Sequence, residues 1–341
     1  MTNPGTPGGQ PSPQLFFDTI TAYQTTAALK GALDLDLFTA IGETAATVGD
    51  VASTCRADAR GMRILCDYLV TLGFLRKLGD LYALTEDSKV FLDRRSPACL
   101  AGTVGFLLSP TITGNFSDIA AVVRKGGTVA PAGGTMAPEH PVWVEFARAM
   151  APMMVPVANA VAGLVQGAPG RKIKVLDVAA GHGIYGITVA EKHPGAEIVA
   201  LDWPNVLSVA KENAKARGIE GRYRTIAGSA FDVELGTGYD AVLITNFLHH
   251  FDPPTCERFL RKAHAALVPG GRAITVEFVP NDDRITPPQA ARFSLTMLAS
   301  TERGDAYTFA ELDRMFRAAG FEGSELRRLD PMPSALVISR K

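Results

Sequence analysis

Residues 175–186, which read VLDVAAGHGIYG, decide the fold class of this chain. The apolar run before the glycines is typical of a buried strand. Gly181, Gly183 and Gly186 have the GxGxxG spacing of a turn that leads from a strand into a helix. Glycine at 181 and 183 would let the backbone approach a ligand, since no Cβ stands in the way. Nicotinamide-binding folds share this spacing, so the turn alone does not name the ligand.

Beyond Lys172, apolar strands and helices alternate along the chain. This alternation predicts an α/β fold, a Rossmann-like doubly wound and mostly parallel sheet with ligands at the carboxyl ends of its strands. The predicted strands are 173–178, 197–201, 223–227, 239–244, 272–277 and 335–339. The predicted helices lie near 184–193, 205–217, 255–267 and 308–319.

Two carboxylates narrow the ligand that this turn would hold. Asp177 lies inside the end of the first strand, where it would repel a pyrophosphate but could order the turn and, through water, receive an ammonium group. Asp202 follows about 20 residues beyond the turn and could accept both ribose hydroxyls, with Trp203 packed on an adenine face. The alternative is that Asp202 caps the next helix and Trp203 belongs to the core. The combination favours S-adenosylmethionine over a dinucleotide.

Composition and charge restrict the class of protein. The chain has 341 residues, of which 47% are hydrophobic and 20% charged, with 34 basic against 35 acidic side chains. These values predict a globular protein of two domains. The balanced charge does not indicate a basic surface that would bind nucleic acid. Residues 1–12 are predicted to form a disordered tail. No stretch has enough consecutive apolar residues for a predicted membrane span. The scattered cysteines indicate neither a disulfide framework nor a zinc site. A cytoplasmic location is expected.

Residues 13–100 have the outline of a winged-helix domain. Apolar residues at helical spacing over 13–39 predict a first helix that partly meets another chain. Thr47 and Asp58 are candidate helix caps. Two short strands, 74–78 and 81–84, flank the Gly79-Asp80 turn of a predicted hairpin.

A winged helix raises the alternative of a DNA-binding regulator that senses S-adenosylmethionine. A recognition helix presents basic and amide side chains to a groove. Arg60 and Arg63 are basic, but Asp58 and Asp67 offset them. The sequence therefore favours a dimerisation domain over direct contact with nucleic acid.

Residues 101–170 predict a helical, loop-rich segment that lines a pocket. Bulky apolar stripes are usually core, so the alternative for each residue is plain packing. The candidate acceptor-binding residues, which suggest an apolar or aromatic acceptor, are Trp143, Phe146, Met150, Met153, His250, Phe293 and Met297.

The fourth and fifth strands end in residues suited to acid–base chemistry. His249 and His250 follow the fourth strand, and a histidine suits removal of a phenolic proton near neutral pH. Glu277 ends the fifth strand and could hold the other ring nitrogen of a histidine. The alternative is that the histidines cap a helix or lie in the core, and that Glu277 pairs with Arg284.

From about Gln14 onward the chain resembles the S-adenosylmethionine-dependent O-methyltransferases of the plant phenolic, bacterial antibiotic and acetylserotonin methyltransferase type. The family's Leu-His-Asp-Trp motif, with Cys a few residues on, is similar to Leu248-His249-His250-Phe251 with Cys256. The resemblance implies a winged-helix dimerisation domain, a helical pocket and a methyltransferase domain over 171–341, assembled as a homodimer. It implies that His249 is the base and Glu277 its first supporting glutamate. It also places further cofactor contacts on Ser229, Ala230, Phe231, Thr245 and Asn246.

Three positions depart from the family pattern. The family's second glutamate aligns with Ala306, an acidic residue aligns with Ser229, and a lysine aligns with Thr245. The loss of a glutamate leaves methylation at carbon or nitrogen, or a reaction in which the sulfonium serves only as a charge, as alternatives. Asp282 and Asp283 predict a solvated loop, and no metal is expected.

Overall fold

The computed structural model describes residues 10–167 and 170–341. They divide into two compact units, with the boundary between Val104 and Gly105. The sequence places the corresponding boundary after residue 100. Most of the predicted disordered tail, residues 1–9, lies outside the described residues.

The first unit is mainly helical and carries a small antiparallel sheet with strand order β1-β3-β2. Its core is formed by apolar faces of the helices together with Leu75, Tyr82 and Leu84 from the hairpin. Its elements are α1 (Gln14–Ile20), α2 (Ala22–Asp34), α3 (Leu37–Ile41), β1 (Ala46–Thr47), α4 (Val48–Thr54), α5 (Ala59–Thr71), β2 (Leu75–Leu78), β3 (Leu81–Leu84) and α6 (Glu86–Phe91).

The predicted helix over residues 13–39 is wrong as a single element. The chain leaves helical geometry at Thr21 and again at Leu35-Asp36, where Asp36 has φ +55°. Aspartate tolerates this left-handed conformation better than most residues do. Three short helices therefore replace one long helix.

Both predicted helix caps in this unit are confirmed. The Thr47 side chain accepts a hydrogen bond from the Asp50 N–H, and the Asp58 side chain accepts one from the Gly61 N–H. Each bond satisfies a backbone donor that the first turn of a helix leaves free. The predicted hairpin is also present, with Leu78 paired to Leu81 across the turn.

The second unit is built around a seven-stranded sheet with order β6-β5-β4-β7-β8-β10-β9. Its helices before the sheet are α7 (Val104–Leu107), α8 (Pro110–Gly114), α9 (Ile119–Lys125) and α10 (Val142–Leu164). The remaining elements are β4 (Lys174–Val178), α11 (Ile184–Lys192), β5 (Glu197–Asp202), α12 (Pro204–Ala216), β6 (Tyr223–Ala227), β7 (Tyr239–Thr245), α13 (Pro253–Ala266), β8 (Leu267–Glu277), α14 (Pro288–Ser300), α15 (Phe309–Ala318), β9 (Gly323–Arg328) and β10 (Ala335–Arg340).

The first five strands of this sheet in spatial order are parallel, and β10 and β9 are antiparallel additions. The sequence analysis assigned neither β9 nor α14. The β9 segment, GSELRR, is mostly polar and half-exposed because it pairs only with β10 at the sheet edge. It therefore lacks the apolar run that marks the central strands.

The strand order reverses direction at β4. β5 lies on one side of β4 and β7 on the other, so the loops after these three strands open toward one crevice. The glycine turn follows β4, Asp202 ends β5, and His249 lies in the loop after β7. None of the helices in the described residues is both long and apolar enough to cross a membrane.

Candidate active site

The glycine turn is held by Asp177. Its Oδ2 accepts a hydrogen bond from the Gly186 N–H at 3.0 Å. A Cβ on Gly186 would lie 2.7 Å from Cγ2 of Ile198, and a Cβ on Gly183 would lie 2.6 Å from the Tyr223 hydroxyl oxygen. A Cβ on Gly181 would meet nothing closer than 3.8 Å. Packing inside the domain therefore requires glycine at 183 and 186, whereas a Cβ on Gly181 would make only ordinary van der Waals contacts.

Asp177 is a fully buried carboxyl group with unused bonding capacity. Its Oδ1 has no hydrogen-bond partner in the described chain. Burial is the main reason that the pKa of Asp177 is raised to about 7, and the charge of Asp202 contributes in the same direction. The hydrogen bond from Gly186 acts in the opposite direction and lowers this pKa. A buried carboxyl of this kind is stabilised as a carboxylate by a cationic group placed near it.

Asp202 closes the other side of the turn. Its Oδ2 accepts a hydrogen bond from the Gly181 N–H at 2.8 Å, and its Oδ1 accepts one from the Trp203 N–H at 2.7 Å. Burial raises the pKa of Asp202 to about 6. The cap position of α12 is occupied by Trp203, whose side chain forms no capping hydrogen bond. The alternative that Asp202 caps this helix is therefore wrong. Trp203 itself is half-buried and packs on Val206 and Val209.

The residues after β6 and β7 complete the predicted cofactor set. Ser229 Oγ accepts a hydrogen bond from the Phe231 N–H at 3.2 Å. Thr245 is buried, and Asn246 has φ +52°. Ala230 is buried, and the Phe231 ring packs against Phe247, Phe251 and Phe259. The structure therefore packs the partly buried Phe231 ring against the core of the domain.

His249 and Glu277 form a buried pair. His249 Nδ1 lies within hydrogen-bond distance of Glu277 Oε2, and the two residues are only 4% and 3% exposed. Glu277 Oε1 accepts hydrogen bonds from the Phe247 N–H at 3.2 Å and the Leu248 N–H at 2.9 Å. The same carboxylate thus fixes both the histidine ring and the loop that carries it. This geometry leaves Nε2 of His249 as the ring nitrogen free to meet a substrate.

Glu277 does not pair with Arg284, as the alternative had it. Arg284 forms ion pairs with Asp305 and Glu311 instead. Cys256 supports the histidine loop because its Sγ donates to the Leu248 carbonyl oxygen at 3.2 Å.

Comparison with known proteins identifies the family. A family model described as an O-methyltransferase domain matches residues 148–322, and one described as an O-methyltransferase dimerisation domain matches residues 17–94. The chain belongs to the O-methyltransferase family. Its methyl donor is S-adenosylmethionine.

Individual relatives agree with the family assignment. A 3-hydroxy-5-methyl-1-naphthoate 3-O-methyltransferase from Streptomyces sahachiroi is 30% identical over 93% of this chain and 91% of its own length. The solved structure of a candidate O-methyltransferase from Nostoc punctiforme is 51% identical and has a TM-score of 0.93, with 98% of this chain and all of that chain covered. Human N-acetylserotonin methyltransferase, solved with S-adenosylmethionine, shares the fold at 21% identity and a TM-score of 0.81, with 99% of each chain covered.

Aromatic side chains surround the two histidines of this O-methyltransferase. The Phe293 ring lies edge-on to His249 at 4.8 Å between centroids, and the Trp143 ring lies edge-on to His250 at 5.3 Å. Phe146 lies 6.0 Å from Trp143. Met150 and Met297 are buried and Met153 is half-buried, which is also compatible with the core alternative for these three methionines.

Two residues that the sequence analysis did not select also belong to this region. Phe278 directly follows Glu277 and stacks on Phe293 at 4.0 Å. His182, between the glycines of the turn, is buried, and its Nδ1 accepts a hydrogen bond from the Ile184 N–H at 3.1 Å. Burial lowers the pKa of His182 to about 4, so the ring is neutral. The position of Phe278 beyond a strand end was the signal that could have identified it.

The position of the family's missing glutamate is filled by packing. Ala306 is buried, and its N–H donates to the side chain of the preceding Asp305 at 2.8 Å. Asp283 is also occupied locally, since its carboxylate accepts hydrogen bonds from the Ile285 and Thr286 N–H groups. Across residues 10–167 and 170–341, no three histidine, cysteine or acidic side chains form a group that could hold a metal ion.

Proposed function

We propose that this enzyme methylates a hydroxyl oxygen of a small aromatic acceptor, with His249 as general base and Glu277 as its orienting carboxylate. The observation that carries the proposal is the buried His249–Glu277 pair, which leaves one ring nitrogen for the acceptor. The position of the His249 ring and the charge of the carboxylate that holds it are both set before the acceptor binds. Positioning and general base catalysis are the two contributions that methyl transfer to oxygen requires.

The residues around the glycine turn fit the methyl donor. When bound, S-adenosylmethionine supplies a methyl group on a positively charged sulfur. Asp177 offers an unpartnered buried Oδ1 toward cationic charge, and Asp202 ends β5 beside the turn, where it can receive ribose hydroxyls. Gly181 gives the donor open backbone at the turn. Trp203, Ser229, Ala230, Phe231, Thr245 and Asn246 are proposed as the remaining contacts.

The proton step follows from the hydrogen bonds of Glu277. Its Oε1 is held by two backbone N–H groups, so Oε2 is directed at Nδ1 of His249. This bond fixes the proton on Nδ1 and leaves the lone pair on Nε2. The Nε2 atom then accepts the proton of the acceptor hydroxyl, and Glu277 stabilises the imidazolium that forms.

The orientation of the His249 ring does not require a second glutamate at position 306, where this chain has alanine. The interactions of Glu277 already fix both the ring and the loop backbone, so a single carboxylate is sufficient to hold His249 in place. We therefore favour oxygen as the methylated atom, in agreement with the 3-O-methyltransferase activity of the naphthoate relative. Phe293, Trp143 and Phe146 supply the aromatic surface against which such an acceptor would pack.

Substitution of the pair tests this proposal. His249→Gln should lower kcat by about 10² to 10⁴ while leaving the affinity for S-adenosylmethionine unchanged, because the base is lost and the donor site is not touched. Glu277→Gln should also lower kcat, since its single amide oxygen can accept from Nδ1 of His249 or from the Phe247 and Leu248 N–H groups but not from both, and the negative charge is lost. Turnover is measured with a panel of naphthols and phenols, and donor affinity by calorimetry. Full turnover of His249→Gln would remove His249 as the base.

A homodimer is the assembly we propose. The first unit matches a dimerisation domain, and α1 exposes the large apolar side chains of Leu15, Phe16, Phe17 and Ile20. An apolar helix face of this kind is characteristic of protein interfaces.

A further inference from the structure

His250, the residue after the proposed base, has a ring nitrogen without a partner. Its Nδ1 atom is sealed from solvent and forms no hydrogen bond within the residues that the structure describes. The ring centroid lies 4.3 Å from that of His249. Burial, and then the proximity of His249, holds the pKa of His250 well below its usual value. The ring is therefore neutral near pH 7 and carries a single proton.

The surroundings of the ring decide where that proton lies. An N–H group without an acceptor is rarer in protein interiors than an acceptor without a donor. The proton therefore belongs on Nε2, which is not among the sealed, unpartnered atoms of the described chain. His250 thus offers an N–H donor directly beside the reacting centre.

A cleft of about 370 Å³ opens beside His250. This volume is within the range of small-molecule sites. Its walls combine an apolar part with a charged part, formed by Met136, Pro138, Phe251, Asp252, Glu302 and Arg303.

The charge of the cleft selects among possible ligands. Arg303 is the one cation among the residues that line it, and Asp252 and Glu302 are two acids, so the formal charge is −1. Asp252 is already engaged, because its Oδ1 accepts the Thr255 N–H at 3.0 Å. An acceptor with a carboxylate would be repelled, whereas a neutral oxygen can accept the His250 hydrogen bond without this cost.

We propose that His250 is a specificity-determining residue that selects aromatic acceptors bearing a neutral carbonyl oxygen. Its Nε2–H donates to that oxygen, and the adjoining part of the acceptor lies in the cleft. This inference rests on the proposed function, since His249 must receive the hydroxyl of the same molecule. The short distance between the two rings calls for a carbonyl substituent near the hydroxyl, and a meta arrangement separates the two oxygens by on the order of 5 Å.

Matched probes test the inference by binding. Meta-hydroxyacetophenone carries the carbonyl oxygen, and meta-isopropenylphenol replaces that oxygen by a CH₂ group of similar size. Both are titrated into the full-length enzyme saturated with S-adenosylhomocysteine, with tryptophan fluorescence as the readout because Trp143 lies against His250. We expect the carbonyl probe to bind about tenfold more tightly, the effect of one hydrogen bond to a desolvated donor.

Variants of His250 locate the preference. His250→Phe should bind the two probes equally, and His250→Asn, which keeps an N–H donor, should retain part of the preference. His250→Asp replaces the donor by an acceptor and should favour meta-(1-hydroxyethyl)phenol over the ketone. Affinity for S-adenosylhomocysteine, measured by calorimetry, reports whether each variant is folded. Arg261→Gln, on the exposed face of α13, is the control that should keep the wild-type preference.

Two outcomes overturn the inference. Equal affinity of the wild-type enzyme for both probes, or failure to bind the ketone, would exclude a carbonyl-directed donor. An unchanged preference in His250→Phe would assign the preference to another residue. Turnover is read separately: a ketone that binds preferentially but is not methylated would count against the proposed O-methylation and leave the binding role of His250 intact.

Discussion

Asp177 is the residue whose ionisation ties the donor site to pH. Its pKa is raised to about 7 by burial, and that of Asp202 to about 6. A bound cation favours the ionised carboxylate, so donor binding should release protons and should tighten as pH rises. In the free enzyme the sign is opposite. Because the pKa of Asp177 is raised in the folded state, the free energy of unfolding falls as pH rises from 3.8, the ordinary pKa, to about 7.

The first prediction is a pH-dependent affinity for S-adenosylmethionine. Affinity should be constant above about pH 7.5 and should weaken by up to about tenfold per pH unit below 7. Asp177→Asn should bind more weakly at pH 8 and should lose the part of the pH dependence that lies between 6 and 7, because Asp202 titrates lower. Calorimetry in buffers of different ionisation enthalpy measures both affinity and proton release. Asp283→Asn, in an exposed loop, is the control, and an affinity that is flat from pH 5.5 to 8 would contradict the assignment.

At the residue scale, the sequence predicts the candidate site residues that lie at strand ends or within motifs. Asp177, Asp202, His249 and Glu277 each follow or end an apolar run, and the structure brings them to the carboxyl ends of neighbouring parallel strands or, for His249, just beyond one. The unpartnered Nδ1 of His250 and the steric reason for Gly183 were not predictable. Both depend on side chains distant in sequence, Trp143 in one case and Tyr223 in the other.

The glycine turn between β4 and α11 separates two kinds of glycine. Gly183 has φ +75° and no room for a Cβ, because the Tyr223 hydroxyl and Ala210 lie against it. Gly181 has φ +58°, but a Cβ there would meet its neighbours only at ordinary van der Waals distance. One glycine serves packing and the other serves the ligand, although both belong to the same motif.

The second prediction exploits this difference. Gly183→Ala should destabilise the enzyme by about 3 kcal/mol, from a positive φ and a collision with a buried ring. Gly181→Ala should cost only about 1 kcal/mol of stability but should weaken donor binding. Chemical denaturation and calorimetry measure the two effects.

A third prediction concerns the hydroxyl of Tyr223, which is buried without a partner in the described chain. Tyr223→Phe removes that desolvated group, so it should leave stability unchanged or raise it by about 1 kcal/mol. It should also recover part of the loss in Gly183→Ala, since one of the colliding atoms is gone, although Ala210 remains at 3.1 Å. Additive effects in the double variant would show that the hydroxyl is not the obstacle.

At the element scale, prediction succeeded where periodicity is strong. β4, β5 and β7 are buried runs, and β8 is buried over its last five residues. The sequence placed these four strands and also the partly exposed β6. α14, which begins at Pro288 after the cap residue Pro287, was not assigned because its apolar residues were considered only as pocket candidates. β9 was not assigned because an edge strand with polar residues has no period-two pattern to detect.

The whole molecule combines a methyltransferase unit with a helical unit whose first helix is apolar and exposed. Leu15, Phe16 and Phe17 are 76%, 61% and 53% exposed. Large apolar side chains that repeat along one segment are seldom left in contact with water. A second copy of the chain is the partner that the dimerisation-domain match indicates.

The fourth prediction is a dimer that depends on α1. Light scattering of the wild-type protein should give twice the mass of the chain, and the double variant Leu15→Glu, Phe16→Glu should give the mass of one chain, because buried charge opposes association. Ile285→Glu changes an exposed apolar residue of the other unit and should leave the dimer intact. A wild-type monomer at micromolar concentration would refute the proposed assembly.

Fold and family were accessible from the sequence as a whole, because the glycine turn, the alternation of strands and helices, and the histidine motif agree with each other. The identity of the acceptor was not, since it depends on the shape and charge of a cleft whose residues come from positions 136–138, 250–252, 255 and 302–303. Such a surface has no local pattern, and only the folded chain brings it together.

The most direct test of the account is the position of the transferred methyl group. The enzyme is incubated with S-adenosylmethionine carrying a carbon-13 methyl group and an aromatic acceptor with a free hydroxyl, and the product is examined by mass spectrometry and carbon NMR. We expect one added methyl group with the resonance of an aryl methyl ether, formed by the wild-type enzyme and strongly reduced in His249→Gln. A methyl group on carbon or nitrogen, or consumption of the donor without methylation of the acceptor, would contradict it.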